Sequence, residues 1–331
     1  MEKIVSGIRP TGNLHLGNYF GAVKNFLRLQ EEHNCYFFIA DYHSLTTHPT
    51  PDDLAGNVKN VLVEYLACGL DPEKVTIYLQ SDVEEVAELY LLMNMNAYMG
   101  ELQRVASFKE KARKQPDNIN AGLLTYPVLM AADILLHRAS KVPVGKDQQQ
   151  HLEMTRTYAR RFNQMYKTQY FPEPEAYNFG KTLVKVPGLD GSGKMGKSES
   201  GNNAIFLADD LKVTRKKIMR AVTDAGPQEM NQEKPEPIKN LFNLLSIVSE
   251  PDVVEHFDEN YNNCTIRYGN LKKQLAEDVI RFVEPLKEKI EDLHKNEDYL
   301  NKVLQQGAEK AKESAGKTIH DVREIIGFKT F

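Results

Sequence analysis

Among its 331 residues the chain has no tryptophan, only three cysteines and no run of eighteen apolar residues. The first absence leaves it without an indole chromophore of its own. Cys35, Cys68 and Cys264 stand far apart with no CxxC spacing, which excludes a disulfide framework and a cysteine-based zinc or iron–sulfur centre. Buried thiols in a reducing cytosol are the expectation. Without a long apolar run, no membrane-spanning helix is expected. Residues 1–10 carry an acidic side chain and too short an apolar stretch for a secretory signal, so a cytoplasmic location is expected. Basic excess is missing too: 42 Lys and Arg face 46 Asp and Glu, a net charge of −4. The protein is therefore no basic nucleic-acid coat, and any RNA contact must come from a local patch. Neither an internal repeat nor a low-complexity segment is present. What remains, 41% hydrophobic and 27% charged, is an ordinary globular composition, and the length suffices for two domains or one domain with an appendage.

The pattern changes along the chain. Up to about residue 190, short β-rich runs at 3–7, 35–41, 75–79, 141–144 and 182–186 alternate with helical spacing at 17–33 and 52–68. Near-continuous apolar strands separated by helices predict a doubly wound parallel sheet covered on both faces. A strand-free helical interval at about 84–137 reads as an insertion between sheet strands. Past residue 209 only helical spacing remains, at 209–223, 237–249, 270–296 and 298–315. The predicted organisation is an α/β domain over 1–203 and an all-α domain over 204–331.

Two loops carry the chemistry. The first strand leads into Ile8-Arg-Pro-Thr-Gly-Asn-Leu-His-Leu-Gly-Asn18, a glycine-punctuated turn feeding a helix start near Gly17. Unpaired N–H groups there suit a phosphate, Gly17 admits a ligand against the backbone, and His15 and Asn18 add side-chain donors. GxGxxG is absent, so this is not the dinucleotide fingerprint. The second loop, Gly191-Ser-Gly-Lys-Met-Gly-Lys-Ser198, carries two lysines on a glycine-rich backbone. Taken literally it also matches the phosphate-loop pattern GxxxxGK[ST]. A P-loop needs a helix opening at Lys197-Ser198, however, and Glu199-Ser-Gly-Asn-Asn203 breaks one. Either loop alone reads as structural: a histidine in a turn, a solvated basic linker.

Together they resemble the paired HIGH and KMSKS signatures of class I aminoacyl-tRNA synthetases. The segments between them resemble the tryptophanyl branch of bacterial type: Phe38-Ile-Ala-Asp-Tyr-His-Ser-Leu-Thr46, Gly100-Glu-Leu-Gln-Arg104, Phe108-Lys-Glu-Lys111, Gly122 to Leu135 with its Met-Ala-Ala-Asp133, and Val142-Pro-Val-Gly-Lys-Asp-Gln-Gln-Gln-His151. The likeness runs from about residue 4 to at least Thr223, and Gly307-Ala-Glu-Lys-Ala311 resembles the family's terminal helices. It implies a Rossmann-like catalytic domain with the KMGKS loop at 194–198, followed by a helical anticodon-binding domain.

The resemblance further implies activation of tryptophan by ATP, then transfer to tRNA(Trp). The attacking carboxylate is already ionised, so no general base is needed, and positioning plus charge stabilisation do the work. By resemblance His15, Asn18, Lys194, Lys197 and Ser198 form the catalytic set. ATP would also touch Arg9, Pro10, Thr11, Gly17, Gly145, Lys146, Asp147, Val186, Met195 and Gly196. Mg2+ is expected with the nucleotide, and no metal held by protein ligands. Indole offers one donor and no acceptor, so a buried acceptor is wanted, and Asp133 matches it. Gly7, His43, Met130, Ile134, Val142 and Val144 would line the slot, with Tyr126 and Gln148 on the α-amino group. A tyrosyl enzyme is the nearest rival, since an aspartate also receives a phenol hydroxyl. An inactive homologue serving as an RNA-binding module is another reading.

Two positions depart from the family pattern: Arg9 where glutamine is usual, and Gly196 where KMSKS has serine. From Lys194 to Arg220 seven cations face three anions, a local balance of +4, which suits a tRNA backbone and equally a solvated helix face. A homodimer is expected by resemblance.

Overall fold

The computed structural model describes residues 2–145, 148–177, 184–191, 193–196 and 203–328. Its centre is a parallel sheet of β1 (Lys3–Ile8), β2 (Asn34–Ile39), β3 (Thr76–Leu79), β4 (Lys141–Val142) and β5 (Glu175–Ala176), ordered β3-β2-β1-β4-β5. Gly7 stands opposite Phe38, and Ile4 opposite both Cys35 and Lys141. The fold is α/β, Rossmann-like and followed by a helical C-terminal domain. The expected fifth strand is not where spacing put it. Thr182 and Leu183 lie outside the described residues, Val184–Val186 carry no strand, and the outer strand is the exposed pair Glu175–Ala176.

Helices surround the sheet. After β1 come α1 (Leu16–Asn18), a π turn (Tyr19–Val23) and α2 (Lys24–Glu32), so the expected helix over 17–33 is broken by a wider turn. Such turns cluster at functional sites. After β2 follow α3 (Asp41–Ser44), a 3-10 turn (Leu45–Thr47) and α4 (Pro51–Ala67). The Thr50 hydroxyl accepts from Asp53 N, Pro51 opens α4, and Asp52 and Asp53 complement its dipole. A 3-10 turn (Gln80–Asp82) ends β3. The insertion is helical: α5 (Glu85–Asn94), α6 (Met99–Leu102), α7 (Ala106–Lys114) and α8 (Ala121–Leu136). Spacing did not single out α9 (Gln149–Met165), nor α12 (Pro251–Asn262) among α10 (Leu211–Met219), α11 (Glu236–Val248), α13 (Tyr268–His294) and α14 (Glu297–Ile326).

Strand alternation sorts the core into two layers. Ile4, Phe37, Ile39 and Ile77 face α2, α4, α11 and α13, with Phe26 stacked on Phe37 at 4.4 Å. Val5, Tyr36, Phe38 and Tyr78 face α8, α9 and the end of α14. The last helix joins both layers: Leu300 and Val303 belong to the first, Ala311, Ala315, Ile319 and Val322 to the second. It crosses edge strand β3 at Gly307, where a Cβ would sit 1.7 Å from the Ile77 carbonyl oxygen. Only a residue without a side chain permits that approach, and the crossing covers an otherwise open sheet edge.

Gly307→Ala is therefore expected to cost about 1–3 kcal/mol in urea unfolding, as overpacking does. Gly269→Ala in α13, whose Cβ would meet nothing within 4 Å, is expected to be neutral or to gain up to about 1 kcal/mol. Equal midpoints for the two variants would contradict the close crossing.

Candidate active site

In an open parallel sheet, ligands sit beyond the carboxyl ends of the strands where strand order reverses. Here that point lies between β1 and β4. A cavity of about 380 Å³ opens there, lined by Ser6, Gly7 and Arg9 at the end of β1 and by Val142, Pro143, Val144 and Gly145 at the end of β4. Gly7 is demanded locally: a Cβ there would lie 2.5 Å from the Phe38 ring, which lies against β1 from the neighbouring strand.

All nine residues expected on the amino-acid side line this one cavity: Gly7, His43, Tyr126, Met130, Asp133, Ile134, Val142, Val144 and Gln148. Asp133 comes from the fourth turn of α8 and is 3% exposed. Burial raises its pKa from the ordinary carboxylate value, and hydrogen bonds from His43 and Gln80 pull it back. His43 Nε2 lies 2.9 Å from Oδ2, and Gln80 Nε2 donates to Oδ1 at 2.7 Å. Gln80 is a contributor that the sequence reading missed.

The opposite wall is polar. The Ser107 hydroxyl bonds the Tyr126 hydroxyl, and His151 Nε2 lies 2.9 Å and 3.0 Å from the two oxygens. His151 Nδ1 faces Gln148 Oε1 at 2.7 Å, so Tyr126 and Gln148 are joined through His151. Lys111 Nζ stands 3.7 Å above the Tyr126 ring. Burial, reinforced by the neighbouring Arg9 cation, lowers Lys111 from 10.5 to about 8. Two cations thus converge on this end of the cavity, ready for an anion. Ser107, Lys111 and His151 were not read as site residues. Lys111 and His151 stand in segments that carried the resemblance, but nothing in their spacing gave them a role.

The two glycine-rich loops form a second group. His15 caps α1: its Nδ1 accepts from Asn18 N at 3.3 Å while Asn18 Oδ1 accepts from His15 N at 3.0 Å. A Cβ at Gly17 would lie 2.8 Å from the His15 ring and 3.5 Å from Met195 Cβ. Met195 is fully buried and donates its N–H to the Val186 carbonyl at 2.8 Å. The two loops, 178 residues apart, therefore meet at Gly17 and Met195. Pro10 is buried, Thr11 and Lys194 are exposed, and a Cβ at Gly196 would meet nothing within 4 Å. The missing serine is thus no steric requirement. Lys146, Asp147, Lys197 and Ser198 lie outside the described residues. Among the described residues, the next helix after the loop is the one at Leu211.

A family model described as tRNA synthetases class I (W and Y) matches residues 2–284. A tryptophan–tRNA ligase of Porphyromonas gingivalis is 65% identical over 329 residues, covering 99% of this chain and 100% of that one. One from Clostridium tetani is 44% identical, covering 99% and 96%. The tryptophanyl-tRNA synthetase of Campylobacter jejuni, solved with ADP and tryptophan, superposes with a TM-score of 0.87 at 35% identity, covering 98% of this chain and 100% of that one. The chain belongs to the bacterial-type tryptophanyl-tRNA synthetases of class I.

As a member of that family it is a tryptophan–tRNA ligase, and the tyrosyl and P-loop alternatives fall away. The basic stretch of this synthetase is partly consumed within the fold. Lys217 Nζ donates to Asp209 Oδ2 at 2.7 Å and to the Ala204 carbonyl at 2.9 Å, over the Phe206 ring. Lys194, Lys212, Lys216 and Arg220 are exposed.

Lys111 sets a pH dependence. Its folded pKa is about 8 and its ordinary value 10.5. Between those values the unfolded chain binds a proton that the folded chain has lost, so stability rises with pH. Relative to Lys111→Met, the wild type is expected to gain stability from about pH 8 to 10.5 in denaturant titrations. A difference that stays flat or falls over that window would contradict the buried, crowded cation.

Proposed function

We propose that the cavity takes tryptophan with its indole N–H on Asp133 and its charged end toward Tyr126, Gln148, Arg9 and Lys111. ATP then lies across His15, Gly17 and Asn18, with Arg9, Pro10, Thr11, Gly145, Lys146, Asp147 and Val186 along its length, closed over by Lys194, Met195, Gly196, Lys197 and Ser198. The observation that carries this reading is the convergence of all nine expected tryptophan contacts on one cavity whose acceptor is a buried carboxylate.

The tryptophan carboxylate attacks the α-phosphorus, pyrophosphate leaves, and the acyl group next moves to a terminal ribose hydroxyl of tRNA(Trp). The chain's work is orientation and charge: Lys111 and Arg9 neutralise the anionic reactants, and the loop lysines hold the leaving pyrophosphate and then release it. A cation whose pKa its surroundings lower becomes more firmly charged once an anion sits beside it. Mg2+ belongs to the ATP phosphates in this reading, where it offsets their charge. The one group of convergent metal-binding side chains among the described residues, His320, Asp321 and Glu324, lines no part of the cavity.

Around this centre we assign residues 1–203 to catalysis and the helices of 204–331 to reading the anticodon, with Lys194, Lys212, Lys216 and Arg220 along the tRNA backbone. No helix among the described residues is long and apolar enough to cross a membrane, and we assign the enzyme to the cytoplasm. Leu91, Met95, Tyr98 and Met99 are all more than half exposed on or beside α5 and α6, a face suited to a second copy in a homodimer.

Because the chain has no tryptophan, indole fluorescence reports the bound ligand alone. Asp133→Ala is expected to weaken tryptophan binding at least about tenfold and to leave ATP affinity without tryptophan nearly unchanged. Normal tryptophan binding with lost ATP binding would move Asp133 to the nucleotide site.

A further inference from the structure

Asp133 has two oxygens, and each is already engaged by a separate donor. His43 belongs to the turn that ends β2, Gln80 to the turn that ends β3. One group ties these turns together: Asp41 Oδ1 accepts from Tyr42 N at 2.9 Å and from Ser81 N at 3.1 Å. Gln80 follows β3 directly, and β3 is the strand crossed by Gly307 of α14. Gln80 is 1% exposed and lines no part of the cavity. Its Oε1 is buried with no hydrogen-bond partner, so its amide makes one contact there, the donation to Asp133.

A buried amide that leaves its own oxygen unmatched is costly, and a purely apolar side chain would fill the space without that cost. A carboxylate in an apolar cavity, by contrast, swings or takes up a proton unless donors fix it. A protonated Asp133 could present a hydroxyl donor, against which an indole N–H has no match.

We propose that Gln80 is a specificity-determining positioning residue: its amide N–H holds the Asp133 carboxylate ionised and turned so that its free lone pairs accept the indole N–H. It acts through Asp133 and does not touch tryptophan. The inference rests on the assignment of Asp133 to the indole. The charged and titratable groups around Asp133 are His43 and Asp41 on α3 and Tyr78 on β3. Asp41 opposes ionisation, and His43 and Gln80 favour it.

The test compares tryptophan with its benzothiophene analogue, which lacks the N–H, as substrates in ATP–pyrophosphate exchange. The wild type is expected to prefer tryptophan on the order of 10²-fold or more in kcat/KM. In Gln80→Met, similar in length but without a donor, that preference is expected to fall at least about tenfold. The fall should come through tryptophan alone, and the acid limb of its pH profile should move to higher pH. In Gln80→Glu the new side chain donates when protonated and repels Asp133 when ionised, so preference should recover as pH is lowered from 8 to 6. That arm decides the matter if Gln80→Met does not fold. An unchanged preference in Gln80→Met, equal losses for both substrates, or a preference in Gln80→Glu that ignores pH overturns the role of Gln80 and leaves Asp133 in place. A wild type that accepts both substrates equally overturns the Asp133 assignment, and the Gln80 inference with it.

Discussion

Keeping a carboxylate ionised among Met130, Ile134, Val142 and Val144 runs against the cost of removing charge from water. The site depends on meeting that cost at Asp133. Its solution is geometric: two parallel strands end at the same level, and the turn after each aims one donor at the same carboxyl group. Neither donor would suffice by position alone. Asp41, bonded to the backbone of both turns, makes them one piece. An unengaged carboxylate would be pushed toward its neutral form, and a neutral acid is a poorer acceptor for an indole N–H.

The rest of the fold keeps these strand ends level. The sheet order places the crevice between β1 and β4, so Gly7 and Arg9 reach it from one side and Val142 to Gly145 from the other. The glycines serve close approach in different places. Gly7 lets Phe38 lie against β1, Gly17 leaves room for the His15 ring, and Gly307 lets α14 cross β3 beside its carbonyls. The last crossing bears on the site because β3 delivers Gln80. A C-terminal helix remote in sequence thus braces the strand end that holds Asp133.

Much of this was legible in the sequence, for a physical reason. Residues that meet a ligand directly stand in short segments whose local order is itself functional, and those segments carried the resemblance. All nine residues expected around tryptophan came from such segments and line the one cavity, and the two glycine-rich loops expected to act together do meet. Spacing failed where a contact depends on tertiary packing alone. Gln80 sits 53 residues from Asp133 in what reads as an ordinary strand end. Ser107 and His151 gain meaning only once α7 and α9 bring them to Tyr126. β5, two exposed residues long, has too few positions for any alternation to show. Gly307 stands in a segment that only resembles the family's terminal helices, and its close approach to Ile77 is invisible until the strand is there.

Most direct for the central claim is the state of the indole N–H itself. Tryptophan labelled with 15N in its indole ring gives one ring N–H signal in a protein that contains no tryptophan. Bound to the wild type, that proton is expected downfield of its position in free tryptophan and slow to exchange with solvent, as a hydrogen bond to a buried carboxylate requires. A bound signal at the free position, exchanging freely with water, would contradict the account.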